Sequence, residues 1–156
     1  DTSLIQCTIY FRYYLNQALK VSGLGDQFLD NLQIWRDQMA LGLTTWAEMP
    51  EPSRSDCHAW GASPNIEFYR ILLGIDSDAP GFRKIRIAPS LGKLKEVSGT
   101  IPHPLGSVTA AYKLDERGEG TARLVLPEGT TGIFIWDGKE IPLKPGEQVI
   151  SLSLRH

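Results

Sequence analysis

Apolar residues in the first half of the chain recur at the spacing of α-helices. Between residues 3 and 22 they fall on nearly every side of the predicted helix, which indicates burial between neighbouring helices. These residues are Leu4, Ile5, Ile9, Phe11, Tyr13, Leu15, Ala18 and Leu19. A second helix is predicted for residues 26–42, where apolar residues return after three or four positions, and a third for residues 63–73. Gly23, Gly42 and Gly74 follow these segments, as glycine does at a helix C-terminus.

From about Phe82 the apolar residues alternate with polar ones, which is the period of a β-strand with one buried face. Five segments follow this pattern: 84–88, 107–114, 122–126, 131–136 and 149–154. Glycine and proline separate them, and Asp137-Gly138 between two apolar segments is typical of a type I′ hairpin. The second half therefore predicts five to eight short antiparallel strands arranged as a β-sandwich.

The change of period predicts two domains, residues 1–77 and 78–156. Three helices with apolar residues in almost every direction would expose a large apolar patch if they stood alone. We therefore expect them to be the last part of a larger helical assembly. The chain also begins at Asp1 without Met and enters helix-like sequence at once, which favours a fragment of a longer protein.

Composition and charge narrow the classes of function. The chain has 156 residues and a formal net charge of −2, and its scattered basic residues form no stripe for nucleic acid. No apolar run approaches the ~18 residues of a membrane span. Cys7 and Cys57 are too few for a disulfide scaffold, and Cys7 is expected to be a small buried thiol within the first helix. No metal-ligand spacing occurs, so no metal or other cofactor is expected, and the compartment stays open.

Side chains that could take part in binding or catalysis are concentrated between positions 44 and 60. Besides Glu48, this segment contains Trp46, Asp56, His58 and Trp60 as candidates for substrate binding. Flat aromatic faces suit the C–H surfaces of a sugar ring, and fixed acceptors suit its hydroxyls. The combination favours a glycoside-binding site, although tryptophans in a helical protein are equally compatible with a role in the core.

Glu48 is the candidate for catalysis. It follows a helix end and precedes Pro50 and Pro52, so a stiff connection would hold it. In glycoside hydrolysis one carboxylic acid protonates the leaving oxygen, while a second carboxylate attacks or activates water. A Ser/His/Asp hydrolase would need a nucleophile elbow or oxyanion-hole glycines, and neither occurs here. His103, flanked by two prolines, is expected in an exposed turn.

Several motifs resemble one family of enzymes. Residues 42–48 (GLTTWAE) and 53–64 (SRSDCHAWGASP) resemble the C-terminal part of bacterial α-L-rhamnosidases of the inverting type. Residues 73–75 (LGI), 80–82 (PGF) and 87–89 (IAP) are similar to the passage that leaves the helical barrel in that family. Residues 104–108 (PLGSV) resemble its following sandwich strand.

The resemblance implies an (α/α)6 barrel followed by a C-terminal β-sandwich, and hydrolysis of terminal α-L-rhamnose with inversion from a rhamnose-containing glycan or glycoside. By position in the motif, Glu48 corresponds to the general base and His58 to a histidine that lines the rhamnose subsite. The family's general acid lies upstream and has no counterpart here. The upstream remainder of the same chain is therefore the expected partner, the fragment alone is expected to be inactive, and the family's setting suggests a periplasmic or extracellular parent.

Two alternatives remain open at this point. One is a related helical-barrel glycosidase with another sugar specificity. The other is a non-catalytic carbohydrate-binding or interface module centred on the β-sandwich. Phe134 and Trp136 lie on the same face of one predicted strand, and their exposure would favour the second alternative.

Overall fold

The computed structural model of the protein describes residues 5–153, so Leu4 of the first predicted helix and Leu154 of the last predicted strand lie outside the described residues. The chain divides into two compact units, Asp1–Glu67 and Phe68–His156, which we call the helical unit and the β unit. The boundary between the units follows Glu67, whereas the sequence predicted it after residue 77. The difference arises because residues 68–72 belong to the β unit. Within that unit, the Ser90 amide donates to the Ile71 carbonyl at 2.9 Å.

Over residues 5–67, the helical unit contains three α-helices, and a long loop, residues 41–63, separates the last two. Helix α1 spans Ile9–Val21, α2 spans Gln33–Ala40 and α3 spans Pro64–Glu67. Further 3₁₀ turns occur at Gly25–Gln27, Asp30–Leu32 and Ala59–Ala62. These described helices are too few and too short to close a barrel by themselves.

Helix α1 begins later than the apolar pattern predicts. The Thr8 hydroxyl accepts a hydrogen bond from the Phe11 amide at 3.2 Å, which makes Thr8 the N-cap. Cys7 consequently precedes the helix and is half-buried, so its predicted place as a buried helical thiol is wrong. Apolar periodicity records which side chains are buried, but the cap decides where helical hydrogen bonding begins.

The second and third predicted helices are also shorter than expected. The segment 26–42 is helical only in α2, after two 3₁₀ turns that contain Asp26, Asp30 and Asn31, residues of modest helix propensity. The third helix ends at Glu67 and passes into a π-helical turn at Phe68–Leu72, where the Leu73 amide donates to the Phe68 carbonyl at 3.1 Å.

Over residues 68–153, the β unit has eight strands. They are β1 Ile75–Ser77, β2 Lys84–Ile87, β3 Glu96–His103, β4 Gly106–Leu114, β5 Gly120–Leu126, β6 Thr131–Trp136, β7 Lys139–Leu143 and β8 Gly146–Leu152. They form two four-stranded sheets, ordered β1-β2-β6-β7 and β3-β4-β5-β8. All five segments with period two contribute to these strands, and the strand count lies within the predicted range.

One strand pair differs from the predicted antiparallel arrangement. Strands β2 and β6 pair in parallel, with Lys84 opposite Thr131 and Ile87 opposite Phe134. Three strands of the other sheet separate them along the chain, which supplies the long crossover that a parallel pair requires. The first sheet is therefore mixed, whereas the second is antiparallel throughout.

Side chains from both sheets share one hydrophobic core, the arrangement of a β-sandwich. Its buried members are Leu73, Ile75, Ile85, Ile87, Leu91, Val108, Ala110, Tyr112, Ala122, Leu124, Leu126, Phe134, Leu143 and Leu152. The predicted hairpin is confirmed between β6 and β7, where Asp137 and Gly138 have φ values of 49° and 71°. Positive φ at both central residues is what a type I′ turn requires.

His103 lies at the end of β3 and is buried, so the expectation of an exposed turn is wrong. Its Nδ1 accepts a hydrogen bond from the Leu105 amide at 3.1 Å, and its Nε2 lies 2.8 Å from the Phe82 carbonyl oxygen. Since Nδ1 accepts, Nε2 carries the proton and donates to Phe82. Both ring nitrogens are thereby satisfied without water, which permits the burial.

Candidate functional site

The segment with the candidate residues forms a loop that doubles back on itself within the helical unit. The Glu48 amide donates to the Ser55 carbonyl at 2.9 Å, and the His58 amide donates to the Trp46 carbonyl at 2.8 Å. The Thr45 hydroxyl also donates to the Asp56 carbonyl. These hydrogen bonds bring the two halves of the motif side by side.

Buried contacts attach this loop to the rest of the helical unit. The Gln38 side chain on α2 accepts a hydrogen bond from the Ala47 amide at 2.9 Å, directly before Glu48. The Trp35 indole donates to the Gly61 carbonyl at 2.7 Å. A Cβ atom on Gly61 would lie 2.5 Å from the Trp46 Cβ, so only glycine permits this close approach. The loop is therefore held from both ends.

Glu48 lines a cavity of about 480 Å³ in the helical unit. Its side chain is 21% exposed, so it is largely enclosed yet reachable from solvent. The cavity wall also includes Cys7, Tyr10, Arg12, Arg54 and Trp60. A volume of this size falls within the range of small-molecule sites.

The Glu48 carboxylate forms a two-point ion pair with Arg54. The Arg54 Nε donates to one carboxylate oxygen at 3.2 Å, and a terminal guanidinium nitrogen donates to the other. This fork arrangement matches the planar geometry of both groups and restricts rotation of the carboxylate. Sequence analysis did not single out Arg54. Its place on the segment that returns past Glu48 could have indicated the pair, but only once the loop was known to double back.

Aromatic side chains line the same cavity as the Glu48 carboxylate. The Trp60 ring lies 4.9 Å from the Tyr10 ring and 5.1 Å from the His58 ring, measured between centroids. Trp60 is 53% exposed, and both Trp60 and Tyr10 line the cavity with Glu48. Tyr10 was missed in the sequence because it sits among the apolar residues of α1. Its ring contact with Tyr14 one turn later marks an aromatic strip on the exposed side of the helix.

The predicted site residues take different positions. Glu48 and Trp60 line the cavity, whereas His58 is not among its lining residues and contacts the ring of Trp60. Trp46 and Asp56 are not among the residues that line it, and both contribute main-chain carbonyls to the folding of the loop. The observed contacts thus distinguish residues at the cavity from residues that support it.

Within residues 5–153, no cluster of three His, Cys, Asp or Glu side chains is arranged to hold a metal ion. Over the same residues, no helix combines the length and apolar character needed to cross a bilayer.

Comparison with known proteins identifies the β unit. The family model described as bacterial alpha-L-rhamnosidase C-terminal domain matches residues 74–147. A search of curated proteins finds no match.

Three solved structures resemble the chain in fold. The native α-L-rhamnosidase from Aspergillus terreus is 21% identical, with a TM-score of 0.78 over 90% of this chain and 18% of its own. The α-L-rhamnosidase from Dictyoglumus thermophilum is 20% identical, with a TM-score of 0.71 over 83% of this chain and 16% of its own. The GH78 family rhamnosidase of Bacillus sp. GL1 is 24% identical, with a TM-score of 0.59 over 81% of this chain and 16% of its own.

The chain therefore spans less than a fifth of the length of these three relatives. At such identities the likeness describes the fold. The family model adds that residues 74–147, which contain most of the sandwich, match the C-terminal domain of this family. Residues 74–147 are thus similar to the bacterial α-L-rhamnosidase C-terminal domain, and the fold of the chain is similar to part of the solved α-L-rhamnosidases.

Proposed function

We propose that the chain is the C-terminal part of an inverting glycoside hydrolase that removes terminal α-L-rhamnose, with Glu48 as the general base. The helical unit would form the end of an (α/α)6 barrel, and the β unit the sandwich that follows it. The observation that carries the proposal is the largely enclosed Glu48 carboxylate at a cavity beside the exposed ring of Trp60.

Hydrolysis with inversion requires a proton acceptor, which we assign to Glu48, and a proton donor, which we assign to another part of the longer chain. The Glu48 carboxylate accepts a proton from water while the water oxygen bonds to the anomeric carbon. The bond from that carbon to the leaving oxygen breaks, and a second carboxylic acid protonates the leaving oxygen. In an inverting site the two carboxyl groups stand ~6.5–9.5 Å apart to accommodate the water. We place the second group in a part of the longer chain that precedes residue 1.

The aromatic contacts support a sugar as the ligand. Trp60 and Tyr10 present adjacent rings at the cavity, and the apolar C–H face of a pyranose can pack on such rings. We assign His58 to the rhamnose subsite because its ring contacts Trp60. Direct substrate binding by Trp46 and Asp56 stays a prediction, since their observed hydrogen bonds support the loop.

The alternative of a carbohydrate-binding sandwich face has less support. Phe134 is fully buried in the core of the β unit, and Trp136 packs against the same core. The Trp136 indole also donates to the Ser153 carbonyl at 3.3 Å. The two residues that could have formed an aromatic platform on this strand therefore contribute to the core.

Replacement of Glu48 tests the proposal. Glu48→Gln in the longer chain should reduce the release of an aryl group from an aryl α-L-rhamnoside by about 10²–10⁴-fold, the usual contribution of a general base. Glu51→Gln is the matched control because Glu51 lies on the same loop but is exposed. Wild-type turnover by Glu48→Gln would contradict the role of Glu48.

The 156-residue chain itself should release no rhamnose, since it supplies only one of the two carboxyl groups. Hydrolysis by this chain alone, in a preparation shown to be free of other glycosidases, would contradict the placement of the acid. Aryl glycosides of other sugars, tested with the longer chain, distinguish a rhamnosidase from a barrel glycosidase of different specificity.

A further inference from the structure

Arg54 forms a two-point contact with the carboxylate of Glu48, the proposed general base. Each oxygen of Glu48 accepts one N–H from the guanidinium. A carboxylate has about four lone-pair positions, so a position on each oxygen remains for water or a sugar hydroxyl. The ion pair therefore fixes the plane of the carboxylate without using all of its acceptor capacity.

Main-chain hydrogen bonding places Arg54 opposite Glu48. Ser55, the next residue, accepts the hydrogen bond from the Glu48 amide. The turn between them is closed by its own contacts, because the Ser53 hydroxyl donates to the Ser55 carbonyl at 2.9 Å. The short loop thus carries both the carboxylate and the cation that orients it.

A second arginine–carboxylate pair in the β unit has the same form but another setting. Arg123 donates to the two oxygens of Glu147 at 2.9 and 2.6 Å on the surface of the sandwich. The Glu147 side chain is 50% exposed, whereas that of Glu48 is 21% exposed and faces a cavity. Exposed ion pairs contribute little to stability. The Arg54 side chain is itself 73% exposed, so this pair too should stabilise the fold little, and its effect is sought in the orientation of Glu48.

We propose that Arg54 is a positioning residue for Glu48, which rests on the proposed role of Glu48 as general base. The guanidinium holds the carboxylate so that a free lone pair faces the attacking water. Water then gives its proton to that oxygen while its own oxygen bonds to the anomeric carbon and the leaving oxygen departs with a proton from the acid. Arg54 itself neither gains nor loses a proton.

Kinetics of Arg54→Gln in the longer chain test this role. We expect kcat on an aryl α-L-rhamnoside to fall about 10²-fold, as for a misplacement of a reacting group by about 1 Å. KM should change less than about twofold, because Arg54 acts on Glu48 rather than on the substrate. Added guanidinium ion, at concentrations that leave the fold intact, should restore part of kcat.

Two variants provide the controls. Arg123→Gln removes the matched pair from the β unit and should change neither kcat nor its response to guanidinium. Arg54→Lys keeps the charge but loses the fork, so its kcat should lie between those of wild type and Arg54→Gln. If Arg54→Gln fails to fold by circular dichroism, Arg54→Lys takes its place, with a smaller fall in kcat and an unchanged KM.

Variants at Glu48 and Arg54 separate the roles of the two residues. Full turnover by Glu48→Gln would remove the proposed function and the inference together. An inactive Glu48→Gln beside a fully active Arg54→Gln would overturn the role of Arg54 alone. A raised KM with unchanged kcat would also overturn it, because Arg54 would then contact the substrate. So would a folded Arg54→Gln with low kcat that guanidinium does not rescue.

Discussion

In the β unit, apolar side chains from two sheets meet in one closed core, whereas the helical unit leaves many of its apolar side chains exposed. Most of the large apolar residues exposed in the described part of the chain belong to the helical unit: Ile5, Tyr10, Phe11, Tyr14, Val21, Leu24, Met39, Leu41, Trp60 and Ile66. The β unit contributes Phe68, Leu105 and Val149.

Buried polar groups show the same contrast. Asn16 on α1 is buried, and its side-chain nitrogen and oxygen have no hydrogen-bond partner among the described residues. Over residues 68–153, no buried side-chain nitrogen or oxygen lacks such a partner. Tyr112 illustrates this, since its buried hydroxyl donates to the Leu73 carbonyl at 2.8 Å.

The difference teaches that the closed core and the candidate site lie in different units. The β unit encloses one hydrophobic core, and its buried polar side chains have hydrogen-bond partners. The helical unit carries the cavity, Glu48 and the exposed aromatic rings, together with surface that it cannot cover itself. A site that must admit a substrate requires such accessible groups.

The largest expected effect comes from the core of the β unit. Phe134 is fully buried, so Phe134→Ala should lower the free energy of unfolding of this unit by about 3–5 kcal/mol. Hydrogen exchange of the strand amides measures this in the intact chain. Phe11→Ala in the helical unit, where Phe11 is exposed, should change stability by less than about 0.5 kcal/mol. Equal losses at the two positions would break the comparison.

Two glycines with nearly the same φ sharpen the contrast in backbone packing. Gly74 has φ +72°, and a Cβ there would lie 2.1 Å from the Ala88 carbonyl carbon. Gly74→Ala should therefore lower the free energy of unfolding by about 3 kcal/mol or more, because left-handed backbone strain and overpacking act together. Gly23 has φ +74° with nothing within 4 Å of the added Cβ, so Gly23→Ala should cost only about 1–2 kcal/mol of strain. Chemical denaturation of both variants measures the difference.

Removal of a buried polar group should have opposite signs in the two units. Tyr112→Phe loses the hydrogen bond to Leu73 and should lower the free energy of unfolding by about 1 kcal/mol. Asn16→Leu removes a buried amide and should raise it by about 1 kcal/mol in the 156-residue chain. Thermal unfolding of each variant measures the sign. A strongly destabilised Asn16→Leu would show that the Asn16 amide has a partner after all.

The smallest expected effect concerns acid. Hydrogen bonds from the amides of Glu119 and Arg117 hold the pKa of Asp115 below its usual value. The Asp115 carboxylate thus stabilises the folded β unit above the ordinary Asp pKa of about 3.9, and this contribution is lost as pH falls through the lower folded pKa. Asp115→Asn should make the acid transition of the β unit less steep, as followed by circular dichroism. Glu128→Gln, at an exposed loop position, should leave the transition unchanged.

Local patterns in the sequence determined much of this protein. Alternating residues predicted the strands of the β unit, and Asp137-Gly138 predicted the β6–β7 hairpin, because side-chain period and turn dihedrals are properties of a few neighbouring residues. The motif around Glu48 indicated the rhamnosidase family, and residues 74–147, which lie outside that motif, match the model of the family's C-terminal domain. The catalytic and substrate-binding roles in that motif stay predictions.

Only the tertiary structure decided the contacts between residues far apart or on facing segments. Three features depend on how segments distant in the sequence pack together. They are the parallel pairing of β2 with β6, the burial of His103 and the contact of Tyr10 with Trp60. Helix ends followed caps and turns rather than the apolar pattern. Periodicity indicates which face of a helix or strand is buried. The element that packs against that face depends on all segments of the chain, because they compete for the same core and the same hydrogen bonds.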